Sequence, residues 1–240
     1  SVPASRMAEV VSWCERYQFD TSHIREEQLH LLNSQKAAAE KAQQAFSWRM
    51  LSLSDNLGST WPALPDGRVL RDYQQQGVCW LVEKERAILA DDMGLGKTLQ
   101  ALVAAKAYSS THAVYVIAPI SLHGVWRKEA ESIGCPIEVF SWAKIPQRPE
   151  YRKYIVVADE AHYAQNIQAQ RTKALLALCE TASAVWLLTG TPIKNGRPAN
   201  LWPLLCAVKH GLTANKKQYD IRYCNAQPTR WSKWDTSGST

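Results

Sequence analysis

The stretch Asp91-Asp92-Met93-Gly94-Leu95-Gly96-Lys97-Thr98 holds residue types that handle phosphate. It follows the apolar run Ala87-Ile88-Leu89-Ala90 and opens into Leu99-Gln100-Ala101-Leu102-Val103-Ala104-Ala105, which reads as a helix. Strand, glycine loop, Lys-Thr and helix in that order build a triphosphate cradle. Glycines let backbone N–H groups turn toward phosphate oxygens, and the helix N-terminus adds a favourable dipole. Met93, Gly94, Leu95 and Gly96 would line the nucleotide, Lys97 would reach the β- and γ-phosphates, and the Thr98 hydroxyl would ligate Mg²⁺. One position departs from the G-x-x-x-x-G-K-[ST] pattern: Asp91 stands where the first glycine belongs.

Two further segments complete a phosphoryl-transfer constellation. Tyr154-Ile155-Val156-Val157-Ala158-Asp159-Glu160-Ala161-His162 is an apolar run that delivers two acids at its end, as a buried parallel strand would. Asp159 can hold the Mg²⁺ shell while Glu160 orients or deprotonates the attacking water. Alone, the pair reads equally well as acids capping the next helix. The glycine loop upstream weighs against that reading. Ala184-Val185-Trp186-Leu187-Leu188-Thr189-Gly190-Thr191-Pro192 is a third apolar strand, ending in a small hydroxylated turn where Pro192 stops the strand. Thr189 and Thr191 are placed to sense the γ-phosphate or to link it to a second surface, and an ordinary strand-to-loop turn is the plain alternative.

These motifs, with Leu70-Arg71-Asp72-Tyr73-Gln74 and Gly77 before them and Ala118-Pro119-Ile120-Ser121-Leu122, Trp126 and Glu129 between them, are in register across residues 70 to 195. The chain resembles the first motor lobe of a superfamily 2 helicase-like ATPase of the Swi/Snf group of DNA translocases. In that group an aspartate at the position of Asp91 is usual. The resemblance implies a RecA-like P-loop domain, ATP and Mg²⁺ as ligands, and Gln74 as the residue that reads the adenine edge. It implies that Ser121 and Trp126 touch the DNA backbone, and that Thr189, Gly190 and Thr191, with Asn195 nearby, form the coupling turn. Trp126 reads equally as a core anchor on its helix. The implied partners are DNA, gripped by its phosphates with little sequence preference, and a second RecA-like lobe whose arginines complete the site. This chain has room for one lobe, and Arg197, Arg222 and Arg230 stand in no context that maps onto such a finger. Tyr219 to Ala226 and Trp231 to Gly238 resemble the annealing-helicase branch.

Composition sets the outer bounds. An apolar content of 46% is globular, and no window approaches the roughly 18 consecutive apolar residues of a membrane span. No basic-then-apolar leader is visible. Six dispersed cysteines without a C-x-x-C pair suit a reducing interior rather than a disulfide framework. The expected location is intracellular: cytoplasm or nucleoid in a bacterium or virus, nucleus in a eukaryote. His30, His112, His123 and His210 lack ligand-like partners and read as surface or incidental core residues. The net charge of +6 concentrates after residue 205. Lys209, Lys216, Lys217, Arg222, Arg230 and Lys233 there suggest a phosphate-contacting surface or a solvated positive flank.

Residues 1–60 read as two or three helices forming an accessory segment, and turn-rich residues 55–62 mark a boundary before a lobe over 61–240. Beyond it, helices near 73–84, 98–105, 125–133 and 174–180 alternate with strands at 87–90, 113–118, 137–140, 155–158 and 185–188. Such alternation predicts an α/β fold, a parallel sheet flanked by helices with ligands at the carboxyl ends of its strands. A rival reading is a non-catalytic module that keeps the P-loop fold for nucleotide sensing or protein interaction. A P-loop kinase lacks any use for the later two motifs.

Overall fold

The computed structural model describes residues 63–193 and 196–226. The expected N-terminal helices, the boundary near residue 61, Asn195 and Arg230 lie outside the described residues. Five parallel strands form one sheet: β1 (Arg86–Leu89), β2 (Ala113–Ala118), β3 (Glu138–Ser141), β4 (Tyr154–Ala158) and β5 (Ala184–Leu188), in spatial order β1-β5-β4-β2-β3. Helices α1 (Asp72–Lys84), α2 (Lys97–Lys106), α3 (His123–Ile133), α4 (Gln170–Glu180), α5 (Trp202–Ala207) and α6 (Lys216–Tyr223) accompany it.

Burial explains the strand sequences. Every residue of β4 and β5 is buried, as is all of β2 except Ala113. A strand covered on both faces reads as an unbroken apolar run instead of alternating. Edge strand β1 does alternate. Trp186, Tyr115, Tyr154 and Ile117 fill the interior. Tyr154 also spends its hydroxyl on the Leu178 carbonyl at 2.7 Å, which locks β4 to the end of α4.

Parallel register brings three strand ends level. Leu89 pairs with Leu188, and Ala158 with Leu187. The ladder runs one residue past each strand: Thr189 N donates to Leu89 O at 3.1 Å, and Asp159 N donates to Ile117 O at 2.8 Å. The loops after β1, β5 and β4 therefore leave the same rim side by side. Neighbouring strands lie about 4.8 Å apart, so the ends of β1 and β4 stand about 10 Å apart with β5 between them.

The alternating elements agree with the sequence reading to within a residue or two at most ends, α4 starting four residues earlier. Helices α5 and α6 were not foreseen. The first has only six residues, too few to show a period, and holds Pro203 in its first turn, where a missing N–H costs nothing. The second is mostly exposed, and its start is set by the Asn215 side chain, which accepts from Gln218 N at 3.1 Å.

Candidate nucleotide site

The glycine loop follows β1 and wraps onto the start of α2. Gly94 (φ 83°) and Gly96 (φ 75°) both take left-handed backbone angles, and Gly96 is the N-cap of α2. That conformation turns successive N–H groups toward one side and suits only glycine at low cost. Lys97 Nζ donates to the Asp91 carbonyl at 2.6 Å and the Asp92 carbonyl at 2.9 Å, so its ammonium lies inside the curve of its own loop. Met93, 79% exposed, and Leu95 form the outer lip. The donor set fits a magnesium triphosphate: a glycine loop curved around a lysine ammonium, a threonine at the helix start, and a buried carboxylate on the same rim.

Gln74 sits directly over this loop. Its amide nitrogen donates to the Leu95 carbonyl at 3.3 Å, and its oxygen accepts from Arg71 N at 3.1 Å. A Cβ at position 96 would stand 2.5 Å from that nitrogen, a second reason for glycine there. An amide offers two N–H groups and two lone pairs. Gln74 therefore keeps one of each, which is what the N7 and N6 edge of adenine needs.

Asp159 and Glu160 leave the end of β4. Asp159 is only 7% exposed. Its Oδ2 accepts from the Trp126 indole at 2.8 Å and its Oδ1 from Glu160 N at 2.9 Å, while Trp142 Nε1 donates to its backbone carbonyl at 3.0 Å. Burial pushes this carboxyl above the ordinary carboxylate range. The Trp126 and Glu160 hydrogen bonds pull it back, the Glu160 charge adds to the rise, and the Lys97 charge opposes it. Lys97 and Asp159 thus feel each other across the rim. Glu160 adopts a left-handed backbone (φ 51°, ψ 48°), unusual for a residue with a Cβ. Its Oε2 lies 3.1 Å from His162 Nδ1.

The Thr-Gly-Thr turn closes the gap between loop and acids. Thr189 is fully buried and its hydroxyl accepts from Thr191 N at 3.1 Å. Gly190 packs against the glycine loop, where a Cβ would meet Met93 Cγ at 3.1 Å and the Asp91 carbonyl at 3.8 Å. Gln165, just past the acidic turn, donates to the Pro192 carbonyl at 3.0 Å and the Thr191 carbonyl at 3.4 Å. At a single edge of the sheet the Thr-Gly-Thr turn thus touches the glycine loop on one side and is tied through Gln165 to the segment after the acidic pair on the other.

One expectation needs correcting. Trp126 is 1% exposed with its indole on Asp159, so it presents no face to a phosphate backbone; of the two roles weighed, it is the core anchor. Ser121 is exposed and lines a groove of about 1050 Å³ with Ile120, Trp142, Tyr163 and Arg171. The basic tail is less free than its sequence suggests. Lys209 pairs with Glu180 at 3.0 Å, Lys216 pairs with Asp220 and lies over the Trp202 ring, and Arg222 lies over Tyr223.

A family model described as the SNF2-related domain matches residues 73–148 and 143–227. The chain belongs to the SNF2-related domain family. It is 32% identical over 198 residues to the Xenopus tropicalis "SWI/SNF-related matrix-associated actin-dependent regulator of chromatin subfamily A-like protein 1", covering 72% of this chain and 21% of that protein. It is 28% identical over 205 residues to the mouse "DNA annealing helicase and endonuclease ZRANB3", covering 71% and 19%. The chain thus spans about a fifth of the length of these relatives. In fold it is similar to the Sulfolobus solfataricus SWI2/SNF2 ATPase core in complex with dsDNA, with a TM-score of 0.58 at 24% identity over 68% of this chain and 41% of that one.

In this SNF2-related lobe three polar residues at the site escaped sequence reasoning. Trp142 and Gln165 bond to motif residues on other loops, and Gln100 reaches back from its helix to Asp91 and Leu95 in the glycine loop. Only Gln100 left a signal, a lone polar residue inside the apolar stretch Leu99 to Ala105.

Proposed function

We propose that this chain is the ATP-binding first lobe of a DNA-dependent ATPase that couples hydrolysis to movement on DNA. One observation carries the reading: Lys97, Asp159, Glu160 and Gly190 reach one rim of a parallel sheet, from three loops interlocked by side-chain contacts. The family membership and the names of its relatives support the same class of reaction.

Each residue has a part in an in-line attack of water on the γ-phosphate. Lys97 exchanges its loop carbonyls for phosphate oxygens, and the N–H groups turned inward by Gly94 and Gly96 hold the remaining ones. Thr98 and Asp159 would hold Mg²⁺, which when bound offsets charge on the phosphate oxygens. Glu160 orients the water and accepts its proton. Its left-handed backbone at the head of the turn sends its side chain away from the course of β4. Gln74 spends its remaining N–H and lone pair on adenine. Thr189, Gly190 and Thr191 carry any displacement of the loop toward the acidic turn, since Gly190 touches the loop and Gln165 ties that turn to Thr191 and Pro192. DNA contacts fall to Ser121 and the groove beside it, through backbone phosphates.

A second RecA-like lobe in the complete protein supplies arginines across the cleft, a contribution worth about 10³–10⁵ in turnover. This chain alone is therefore expected to bind nucleotide weakly and hydrolyse it slowly. Steady-state hydrolysis by the complete protein tests the proposal. Duplex DNA should stimulate turnover, added salt should erode the stimulation, and Lys97→Ala should abolish it. Equal turnover with and without DNA would contradict a DNA-driven motor. Full partner binding with no nucleotide dependence would favour the scaffold alternative.

A further inference from the structure

Gln100 is a fully buried polar residue on α2. Its amide nitrogen donates to Asp91 Oδ2 at 3.0 Å and to the Leu95 carbonyl at 3.2 Å. Two acceptors on one side fix which end of the amide is nitrogen, because a flipped group would set its oxygen against a carboxylate and a carbonyl. The oxygen then points toward α1, where it has no hydrogen-bond partner among the described residues. Gly77 makes room for it: a Cβ there would stand 1.8 Å away.

An unpaired buried acceptor is destabilising, and leucine would fill similar volume without it. Packing alone does not account for a glutamine here. The loop does. Asp91 occupies the place of the missing first glycine; Gln100 holds its side chain, and its carbonyl accepts from Lys97. Leu95, two residues before Lys97, gives its carbonyl to Gln100 and Gln74 together. Gln100 thus ties both flanks of the loop to the helix that carries Lys97 and Thr98.

We propose that Gln100 is a positioning residue of the nucleotide site. With Asp91 and Gly77 it forms a clamp that sets the curvature of the glycine loop before a triphosphate arrives. An aspartate at the first loop position is then an anchor, held from the helix side. The clamp rests on the nucleotide reading above.

The test is binding of the non-hydrolysable analogue adenylyl imidodiphosphate with Mg²⁺ to the complete protein, with melting temperature measured alongside. Gln100→Leu is expected to raise the Kd about tenfold, as for loss of a hydrogen bond to a charged group, with the melting temperature unchanged or higher. Asp91→Ala, at the loop itself, carries the same expectation should Gln100→Leu fail to fold. Asp91→Asn keeps an oxygen for the Gln100 amide and should restore affinity to within about twofold of wild type. Combining Gln100→Leu with Asp91→Ala should be no worse than the weaker single variant. Independent, multiplying losses would overturn the clamp, as would wild-type affinity in both single variants, losses that track a fall in melting temperature, or Asp91→Asn as weak as Asp91→Ala. Failure of the wild-type protein to bind the analogue would instead sink the nucleotide reading, and the clamp with it.

Discussion

Asp159 is a metal-binding candidate held where ionisation is expensive. Burial raises its carboxyl, and the Trp126 indole is the strongest of the groups that favour the charged form. A carboxyl raised on folding contributes most stability below its ordinary value and loses it as pH climbs through the raised one. The proposed role in holding Mg²⁺ needs the opposite state, ionised and ready for a cation. Trp126→Phe removes one hydrogen bond from the carboxylate and keeps most of the ring volume. The acid limb of kcat/KM for ATP should then move to higher pH by about one unit, read from a pH–rate profile of the complete protein. An unmoved limb would mean that Trp126 serves packing only. The residue types of the site were legible in the sequence because glycines, a Lys-Thr pair and paired acids are rare in that order. Trp126 was visible as a residue but not as a partner of Asp159, since the two are joined only by the fold.

Elements were legible wherever burial imposes a pattern. Strands β2, β4 and β5 announce themselves as unbroken apolar runs, and α3 ends at Gly134, whose left-handed backbone (φ 65°) stops the helix. Helices α5 and α6 are held by contacts that leave no period in the sequence. Arg86 is the clearest of these contacts. From the edge strand β1 its guanidinium donates to Cys179 O and Ala182 O at 2.8 Å each, and to Ala207 O at 3.1 Å. It thereby satisfies carbonyls at the ends of α4 and α5, where a cation also suits the helix dipoles. Arg86→Met should leave those carbonyls unpaired and destabilise the lobe by about 3 kcal/mol, measured by denaturant unfolding. Arg86→Lys should recover part of that loss. A change within about 0.5 kcal/mol, typical of surface substitutions, would show that the three bonds contribute no net stability.

Across the molecule, the sheet is a frame that sets the glycine loop, the Thr-Gly-Thr turn and the acidic pair side by side. Among the described residues no helix is long and apolar enough to cross a membrane. The positive tail reads in sequence as a phosphate-contacting surface or a solvated flank; in the fold Lys209 and Lys216 are drawn into ion pairs within the chain. Charge alone could not reveal that, because their partners Glu180 and Asp220 are chosen by helix placement. Gln165 is the visible link from the acidic turn to Thr191. Its replacement by Ala should lower DNA-stimulated turnover of the complete protein several-fold while leaving nucleotide affinity near wild type, and equal losses in both would place it in nucleotide binding instead.

Whether loop and acids serve one nucleotide is decided by measuring binding and turnover on the same samples of the complete protein. Calorimetric titration with Mg–ATP analogue and DNA-stimulated hydrolysis should separate two variants. Glu160→Gln is expected to bind as wild type does and to lose turnover by at least about 10². Lys97→Ala should lose both. If Glu160→Gln hydrolyses ATP at the wild-type rate, or Lys97→Ala binds nucleotide unchanged, these residues do not share a phosphoryl-transfer site.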